Sequence, residues 1–445
     1  MLSEVKAMLL QFRVKNYRSI GDEITIDLTA GRGKEHPHFL HEQNKVKILP
    51  VISMYGSNAS GKTNIIQALS DMFINVSQSY RNGIDAGDRL KVVPFLYDDV
   101  LKTEPTEMEI FFTLDGQEYQ YGYKTTPDRI HEEWLYSCKL SQNDTVSKPI
   151  FVREGDEIQF AKPYANLNIF NELIGYKNLA LSFIINRSSK DIDESEQVFH
   201  KIGTWFRTNF YWHESVISDE EIYRIYTSHD GMIKDSFLSF LQEFDPLIED
   251  IIFKSETNKD GASIFKTYTV HNGNEYPIEI ESVGTQKLFR LYVFLFAAMN
   301  VISAVMSYDE LDTHLHPLIL RRIVNMFHDK EINKMNSQLI FTSHNLIVLN
   351  KDELRRDEIW FVEKDERGFT TAYSLDSFKS TKDEVRADMD YGKHYLYGRF
   401  GAIPYARPRG KAHEWKKLIT EAESEPKKSQ IRACRVSQNK MAYTL

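Results

Sequence analysis

In the N-terminal third of the chain, apolar and polar positions alternate in a way that predicts short strands. The stretches 9–14 and 23–28 alternate on either side of a polar turn, which predicts a hairpin. Residues 107–113 and 118–124 alternate around Asp115-Gly116, a dipeptide typical of hairpin turns. The uninterrupted apolar run Val51–Tyr55 instead predicts a buried strand.

Further changes in this pattern divide the chain into four segments. Residues 8–164 form the first segment, and residues 165–262 have a mainly helical spacing that predicts an inserted lid or arm. Residues 263–405 return to the mixed pattern of strands and helices, and residues 406–445 form a short basic tail. The sequence therefore predicts an α/β protein with a helical insertion and a basic C-terminal extension.

A phosphate-binding loop follows the buried strand. Residues 56–63 read Gly-Ser-Asn-Ala-Ser-Gly-Lys-Thr, and a segment with helical spacing begins at Asn64. Strand, glycine-rich turn and helix N-terminus are the context that this motif requires, because backbone N–H groups and the helix dipole favour phosphate there. Lys62 is predicted to reach the outer phosphates and Thr63 to hold Mg²⁺. The predicted nucleotide ligands are Gly56, Asn58, Ser60, Gly61, Lys62, Thr63 and Asn64.

Composition adds limits on the class of protein. The chain has 445 residues, 42% of them hydrophobic, and a formal net charge of −9, so it is not basic overall. Positive charge is concentrated at the end, with twelve Lys or Arg against four Glu from Lys393 to Leu445. The two cysteines, Cys138 and Cys434, do not indicate a disulfide framework. No signal segment or long apolar run is evident, and we expect a soluble cytoplasmic protein without membrane contact.

A second set of candidate residues follows two later apolar stretches. The stretch 301–308 ends in Asp309-Glu310, which predicts that Asp309 supports Mg²⁺ and that Glu310 polarises the attacking water. The stretch 338–341 ends in a polar run containing His344, which is predicted to contact a γ-phosphate. The alternative for His344 is a histidine that caps the end of a strand.

Together these motifs resemble the ABC-type ATPase heads of the RecF, SMC and OLD group. The resemblance rests on Asp-Glu-Leu-Asp-x-x-Leu-His-Pro from Asp309 and on the later Thr-Ser-His-Asn. It implies a P-loop NTPase fold of ABC type, with a mixed sheet flanked by helices, that binds and hydrolyses ATP with Mg²⁺. Residues 8–164 and 263–405 would be the two parts of this head. Lys62, Glu310 and His344 would carry the catalysis.

The resemblance also implies that each ATP is held between two copies of the chain. Residues 281–287, Glu-Ser-Val-Gly-Thr-Gln-Lys, occupy the place of the signature motif. In this group the motif binds the γ-phosphate of nucleotide held by the other subunit, which assigns Ser282 and Gly284 to that role. Asp312 would cross between the sites, and Arg18 occupies the place of a basic residue near the nucleotide. The implied assembly is a homodimer or a higher homo-oligomer.

Two stretches narrow the resemblance to ATPase subunits of antiphage systems of the RloA, AbiL and AriA types. One stretch is 118–136, rich in tyrosine, and the other is 391–405, which ends in Gly-Arg-Phe-Gly-Ala-Ile-Pro-Tyr. Such subunits sense a trigger or restrain a toxic effector, which is often a Toprim-type nuclease encoded beside them. No second catalytic centre is visible in this chain, so we expect any nuclease to be a partner.

Two other functions are compatible with the same motifs. One is a DNA-maintenance ATPase similar to RecF or SMC that binds DNA directly, and the other is a nucleotide-binding scaffold without turnover. The basic tail has three interpretations: a nucleic-acid contact, docking to an acidic partner or to the acidic body of the chain, or a solvated tail.

Overall fold

The computed structural model describes nine parts of the chain, which are residues 7–31, 33–82, 89–138, 147–186, 194–212, 217–228, 231–257, 263–378 and 389–404. The predicted basic tail 406–445 lies outside these described residues.

The strands of the described parts are, in chain order, β1 Ala7–Lys15, β2 Ile24–Asp27, β3 His41–Gln43, β4 Val46–Ile48, β5 Val51–Tyr55, β6 Thr106–Leu114, β7 Gln117–Thr126, β8 Arg129–Cys138, β9 Lys148–Glu154, β10 Glu157–Phe160, β11 Phe210–Trp212, β12 Asp250–Thr257, β13 Ser263–His271, β14 Asn274–Pro277, β15 Val305–Tyr308, β16 Gln338–Thr342, β17 Ile359–Lys364 and β18 Thr370–Ser374. The α-helices are α1 Lys62–Gln78, α2 Ala180–Asn186, α3 Glu194–Thr208, α4 Asp219–Thr227, α5 Met232–Gln242, α6 Val283–Asn300, α7 Pro317–His328 and α8 Tyr391–Leu396.

A six-stranded sheet in the order β11-β15-β16-β5-β17-β18 forms the centre of the fold. Its first five strands run parallel, and β18 pairs antiparallel with β17. All five residues of β5 are buried, as its apolar run predicts. Because the carboxyl ends of the parallel strands lie at one edge, the loops after β5, β15 and β16 meet there.

A second, antiparallel sheet of seven strands covers one side of the central sheet, in the order β10-β9-β8-β7-β6-β1-β2. Helix α1 contributes to the apolar core between the two sheets, where Ile52 and Met54 of β5 also lie. The predicted hairpins β1–β2 and β6–β7 are confirmed as antiparallel pairs. Tyr119, Tyr121 and Tyr123 alternate along β7 and so lie on one face of the sheet. All three are buried, Tyr121 and Tyr123 fully, so this face packs in the core.

The other side of the central sheet carries helices from the second half of the chain. Val51 and Tyr55 of β5 join a second core cluster with residues of α5, α6, α7 and α8. Alternate residues of one buried strand thus contact two different cores, which explains why its sequence shows no polar face.

In its described parts, the range 165–262 contains α2 to α5 and also the strands β11 and β12. Strand β11 pairs in parallel with β15 and so belongs to the central sheet. Strand β12 pairs with β13, and β13 pairs with β14 across a turn at Asn272-Gly273, in which both residues have positive φ. The limits of the helical insertion stay a prediction.

Candidate nucleotide-binding site

The turn between β5 and α1 has a backbone shape that depends on its glycines. Gly61 has a φ of 110° and caps the N-terminus of α1. A Cβ on Gly61 would clash with the side chain of Thr370, and a Cβ on Gly56 would clash with the carbonyl oxygen of Val362. The close approach of β17 and β18 to the turn therefore requires both glycines.

A chain of side-chain hydrogen bonds connects the turn to the rest of the fold. Asn64 Nδ2 donates to Ser19 Oγ over 2.6 Å, and Ser19 Oγ lies 2.7 Å from Thr370 Oγ1. Thr370 Oγ1 in turn donates to the carbonyl oxygen of Ser60 over 2.9 Å. Ser19 and Thr370 are buried, so these bonds fix the turn from two distant segments.

The ammonium group of Lys62 lies inside the turn. Its Nζ donates to the carbonyl oxygens of Gly56 over 2.9 Å and of Ser57 over 3.1 Å. Burial lowers the pKa of Lys62, while the nearby carboxylates of Asp309 and Glu310 act to raise it.

Asp309 joins the turn to the end of β15 and β16. Thr63 Oγ1 donates to Asp309 Oδ2 over 2.7 Å, and Thr342 Oγ1 donates to Asp309 Oδ1 over 2.6 Å. Thr342 Oγ1 also accepts from the backbone N–H of Glu310 over 2.7 Å. Glu310 has a φ of 47°, which is uncommon for a side chain of this size and marks a sharp change of direction after β15.

The residues beside this contact fit a magnesium ion. The Thr63 hydroxyl and the Asp309 carboxylate supply oxygen atoms only, which are the ligands that Mg²⁺ prefers. Mg²⁺ bound here would be held by Thr63 and Asp309, and this role of the two residues stays a prediction.

An open cavity of about 330 Å³ lies over the turn. It brings together most of the residues predicted to bind ATP, and its lining residues are Asn58, Ala59, Ser60, Gly61, Lys62, Thr63, Asn64, Asp309, Glu310, His344 and Lys364. The predicted catalytic residues Lys62, Glu310 and His344 thus share one cavity. His344 is exposed there, and its backbone N–H donates to Asp312 Oδ2 over 3.3 Å.

Ser282 and Gly284 do not line this cavity. Ser282 is the exposed N-cap of α6, and its Oγ accepts from the N–H of Thr285 over 3.1 Å. Both residues line a separate cavity of about 500 Å³, together with His314 and His316. A Cβ on Gly284 would lie 2.5 Å from the carbonyl oxygen of His314, so only glycine fits there.

Arg18 also lies outside the lining of the phosphate cavity. It is exposed, with its guanidinium carbon 5.5 Å from the centre of the Tyr17 ring. Its backbone has a φ of 49°, and its N–H donates to the carbonyl oxygen of Val93 over 2.7 Å. The structure therefore does not place Arg18 in contact with the predicted phosphate ligands, and its role stays a prediction.

The site geometry agrees with a comparison against known protein families. Residues 51–350 match the family described as "AAA domain, putative AbiEii toxin, Type IV TA system". The chain belongs to this family. The matched range includes the P-loop turn, α6, Asp309 and His344. With β5 beside β16 in the parallel sheet, the predicted P-loop NTPase fold of ABC type is confirmed.

This AAA-domain chain also has similarity to solved SMC head structures. One is the SmcHead bound to the C-winged helix domain of ScpA, with 15% identity, 84% of this chain and 99% of that chain covered, and a TM-score of 0.44. Another is the SMC head domain from Thermotoga maritima, with 15% identity, 82% and 98% covered, and a TM-score of 0.36. A third structure is the Smc head domain with an extended coiled coil, bound to the C-terminal domain of ScpA derived from Pyrococcus furiosus. It has 13% identity, covers 83% of this chain and 96% of that chain, and has a TM-score of 0.41.

No protein with curated annotation matches the sequence. Among the helices in the described parts of this AAA-domain chain, none is both long and apolar enough to cross a membrane.

Several residues of the site were not predicted from the sequence of this AAA-domain chain. Thr342 and Thr370 hold Asp309 and the P-loop turn, and Lys364 lines the cavity. Lys287 Nζ donates to the carbonyl oxygens of Leu311 and Thr313, each over 2.9 Å, and so supports the loop after Asp309. Lys364 lies two positions after the apolar run 359–362, at the end of the strand that this run predicts, and strand ends in α/β sheets carry binding residues.

Proposed function

We propose that this chain binds ATP with Mg²⁺ and hydrolyses it. The observation that supports this most directly is the hydrogen bond between Thr63 and Asp309, which joins the P-loop turn to the strand end that carries Glu310. A turn that holds phosphate, an oxygen site for Mg²⁺ and a carboxylate for water are the parts that phosphoryl transfer to water needs.

Three side chains of the cavity, those of Lys62, Glu310 and His344, have distinct roles in the proposed reaction. Lys62 binds phosphate oxygens from inside the turn, and Mg²⁺ neutralises charge on the phosphates when it is bound. Glu310 orients the attacking water and accepts its proton, while His344 contacts the γ-phosphate from the end of β16. The backbone of Glu310 is fixed by its bond to Thr342, which holds the carboxylate beside the turn.

The proposed active form is a dimer in which each ATP contacts two copies of the chain. Ser282 and Gly284 lie in a cavity of their own and are exposed or half-buried, so a second protomer can reach them. The hydroxyl and N–H groups at the start of α6 suit an anion such as the γ-phosphate of the partner's nucleotide. Asp312 would lie at the contact between the two sites. Closing and opening of this dimer would then follow ATP binding and hydrolysis.

The proposed biological role is nucleotide-gated control of a partner effector in antiphage defence. The sequence resemblance at 118–136 and 391–405 supports this role, and the family description itself refers to a toxin of a type IV TA system. The effector expected from the resemblance is a Toprim-type nuclease. Salt-dependent DNA contact through the tail 406–445 is proposed as a secondary property.

The deciding experiment is a phosphate-release assay on the purified chain with Mg-ATP, alone, with DNA and with a nuclease encoded beside its gene. We expect wild type to hydrolyse ATP and Lys62→Ala to lose this activity. Stimulation by DNA alone would favour the DNA-maintenance function, and ATP binding without turnover under all three conditions would favour the scaffold. Absence of ATP binding would contradict the proposal.

A further inference from the structure

Lys364 contributes a second cationic side chain to the phosphate cavity, on the side opposite Asp309. It is the last residue of β17, which pairs in parallel with β5 through Ile359–Ser53 and Phe361–Tyr55. Strand β16, which leads to His344, lies on the other side of β5, and β15 lies beyond it. Lys364 and His344 therefore border the P-loop turn from two sides and line the same cavity.

The backbone that carries Lys364 is held against the turn at two points. The carbonyl oxygen of Val362, two residues earlier, packs where a Cβ of Gly56 would be. Lys364 itself pairs with Thr370 in β18, and the Thr370 hydroxyl donates to the carbonyl oxygen of Ser60. The strand end is thus fixed before any ligand arrives, which lowers the entropic cost of using this side chain for binding.

Among the residues that the structure describes, the ammonium group of Lys364 has no partner, unlike those of Lys62 and Lys287 near the site. In the described part of the chain it makes no hydrogen bond or ion pair, and it is exposed. Lys62 and Lys287 each donate to two backbone carbonyl oxygens. Because its backbone is held at the phosphate cavity and its ammonium group has no carboxylate partner among the described residues, Lys364 retains its full capacity to bind an anion.

We infer that Lys364 binds a phosphate oxygen of the bound nucleoside triphosphate, on the side of the phosphate chain that faces away from His344 and Asp309. This inference rests on the proposed function and adds a binding residue to it. Asp309 and Glu310 add two negative charges to those of a triphosphate, so the charges of Lys62 and of a bound Mg²⁺ together do not balance them. Lys364 adds a positive charge to the cavity from the side of β17.

The first test compares Lys364→Gln and Lys364→Arg with Lys47→Gln by equilibrium binding of ATP and of inorganic tripolyphosphate. Lys47 is exposed on β4 and does not line the cavity, which makes it a matched control. We expect Lys364→Gln to weaken binding of both ligands about tenfold. Lys364→Arg, which keeps the charge, should stay within about threefold of wild type, and Lys47→Gln should bind as wild type does.

The outcomes separate this inference from the proposed function. If wild type binds neither ATP nor tripolyphosphate, the proposed function fails and the inference fails with it. If wild type binds both, Lys62→Ala weakens binding and Lys364→Gln matches Lys47→Gln, only the inference is overturned. A loss of ATP binding without a loss of tripolyphosphate binding would also overturn it, because Lys364 would then contact the sugar or base.

A second measurement uses the unmodified protein and does not depend on the stability of a variant. Acetylation of surface lysines, quantified by peptide mass spectrometry with and without Mg-ATP, reports which ammonium groups become covered. Lys364 should lose reactivity severalfold at saturating ATP, whereas Lys47 should not change. Equal reactivity of Lys364 with and without bound ATP would overturn the inference.

Discussion

Thr63 Oγ1 donates a hydrogen bond of 2.7 Å to Asp309 Oδ2, although the two residues lie 246 positions apart in the sequence. The second carboxylate oxygen of Asp309 accepts from Thr342 over 2.6 Å. Asp309 is thus held from both sides, by the first turn of α1 and by the end of β16. This arrangement joins three strand ends into one site before any ligand is bound.

The first prediction concerns Mg²⁺. Thr63→Ala removes one oxygen ligand of the metal, and Asp309→Asn removes the negative charge of the other ligand. Both variants should therefore need about 10- to 100-fold more Mg²⁺ for half-maximal ATPase activity. The measurement is phosphate release as a function of Mg²⁺ concentration. ATP binding in the presence of EDTA should change much less than binding with Mg²⁺.

Asp352→Asn is the control for this prediction, because Asp352 is exposed and lies outside the cavity. It should show the Mg²⁺ dependence of wild type. If Asp309→Asn weakens ATP binding equally with and without Mg²⁺, the carboxylate does not act through the metal.

The second prediction concerns Glu310. Its N–H is fixed by Thr342, and its Oε2 accepts from Thr313 Oγ1 over 3.2 Å. Glu310→Gln keeps the size of the side chain but removes its capacity to accept a proton, so turnover should fall about 100- to 10,000-fold. ATP binding should persist, and light scattering should show a dimer that accumulates in Mg-ATP.

Glu331→Gln, at an exposed turn, serves as the control and should retain turnover. Steady-state hydrolysis by Glu310→Gln at the rate of wild type would remove Glu310 from the catalytic role. A dimer that forms equally without nucleotide would show that ATP does not gate the assembly.

The sequence reveals those parts of the site whose residues are neighbours in the chain. Gly56 to Thr63 form one turn between a fully buried strand and a helix, and each of these features leaves a local pattern. Asp309 and Glu310 directly follow another buried strand. Periodicity and residue type were sufficient in both places, because the strand ends of a parallel sheet meet at one edge.

The part that the sequence does not reveal depends on which strand pairs with β5. Thr370 and Lys364 lie about 300 residues after the P-loop turn, and they reach it only because β17 pairs with β5. Local hydrophobic patterns give no such long-range pairing. The same holds for β11, a three-residue strand in a helical range that pairs with β15.

The third prediction tests whether Ser282 acts on nucleotide bound by a partner. Ser282→Arg puts a large cation at the exposed start of α6, and Lys62→Ala removes the phosphate-binding ammonium; each variant alone should be inactive. Each site of the proposed two-fold symmetric dimer uses Lys62 of one copy and Ser282 of the other. A dimer that contains one copy of each variant therefore keeps one intact site and loses the other. An equimolar mixture should therefore recover roughly a quarter of wild-type ATPase activity.

The matched control mixes Lys62→Ala with a chain that carries both substitutions, since no pair in that mixture has an intact site. It should recover nothing. If the first mixture is as inactive as the second, while both variants remain folded by circular dichroism and form dimers, then Ser282 does not complete the site of a partner.

The fourth prediction concerns the buried hydroxyl that fixes the P-loop turn. Thr370→Val keeps the shape of the side chain but leaves the carbonyl of Ser60 and the hydroxyl of Ser19 without this partner. The free energy of unfolding should fall by about 1–3 kcal/mol, and ATP affinity should fall because the turn is less well fixed. Urea denaturation and equilibrium ATP binding measure the two effects. Thr371→Val, at the exposed neighbouring position on β18, should change neither quantity, and equal behaviour of the two variants would show that this bond does not hold the turn.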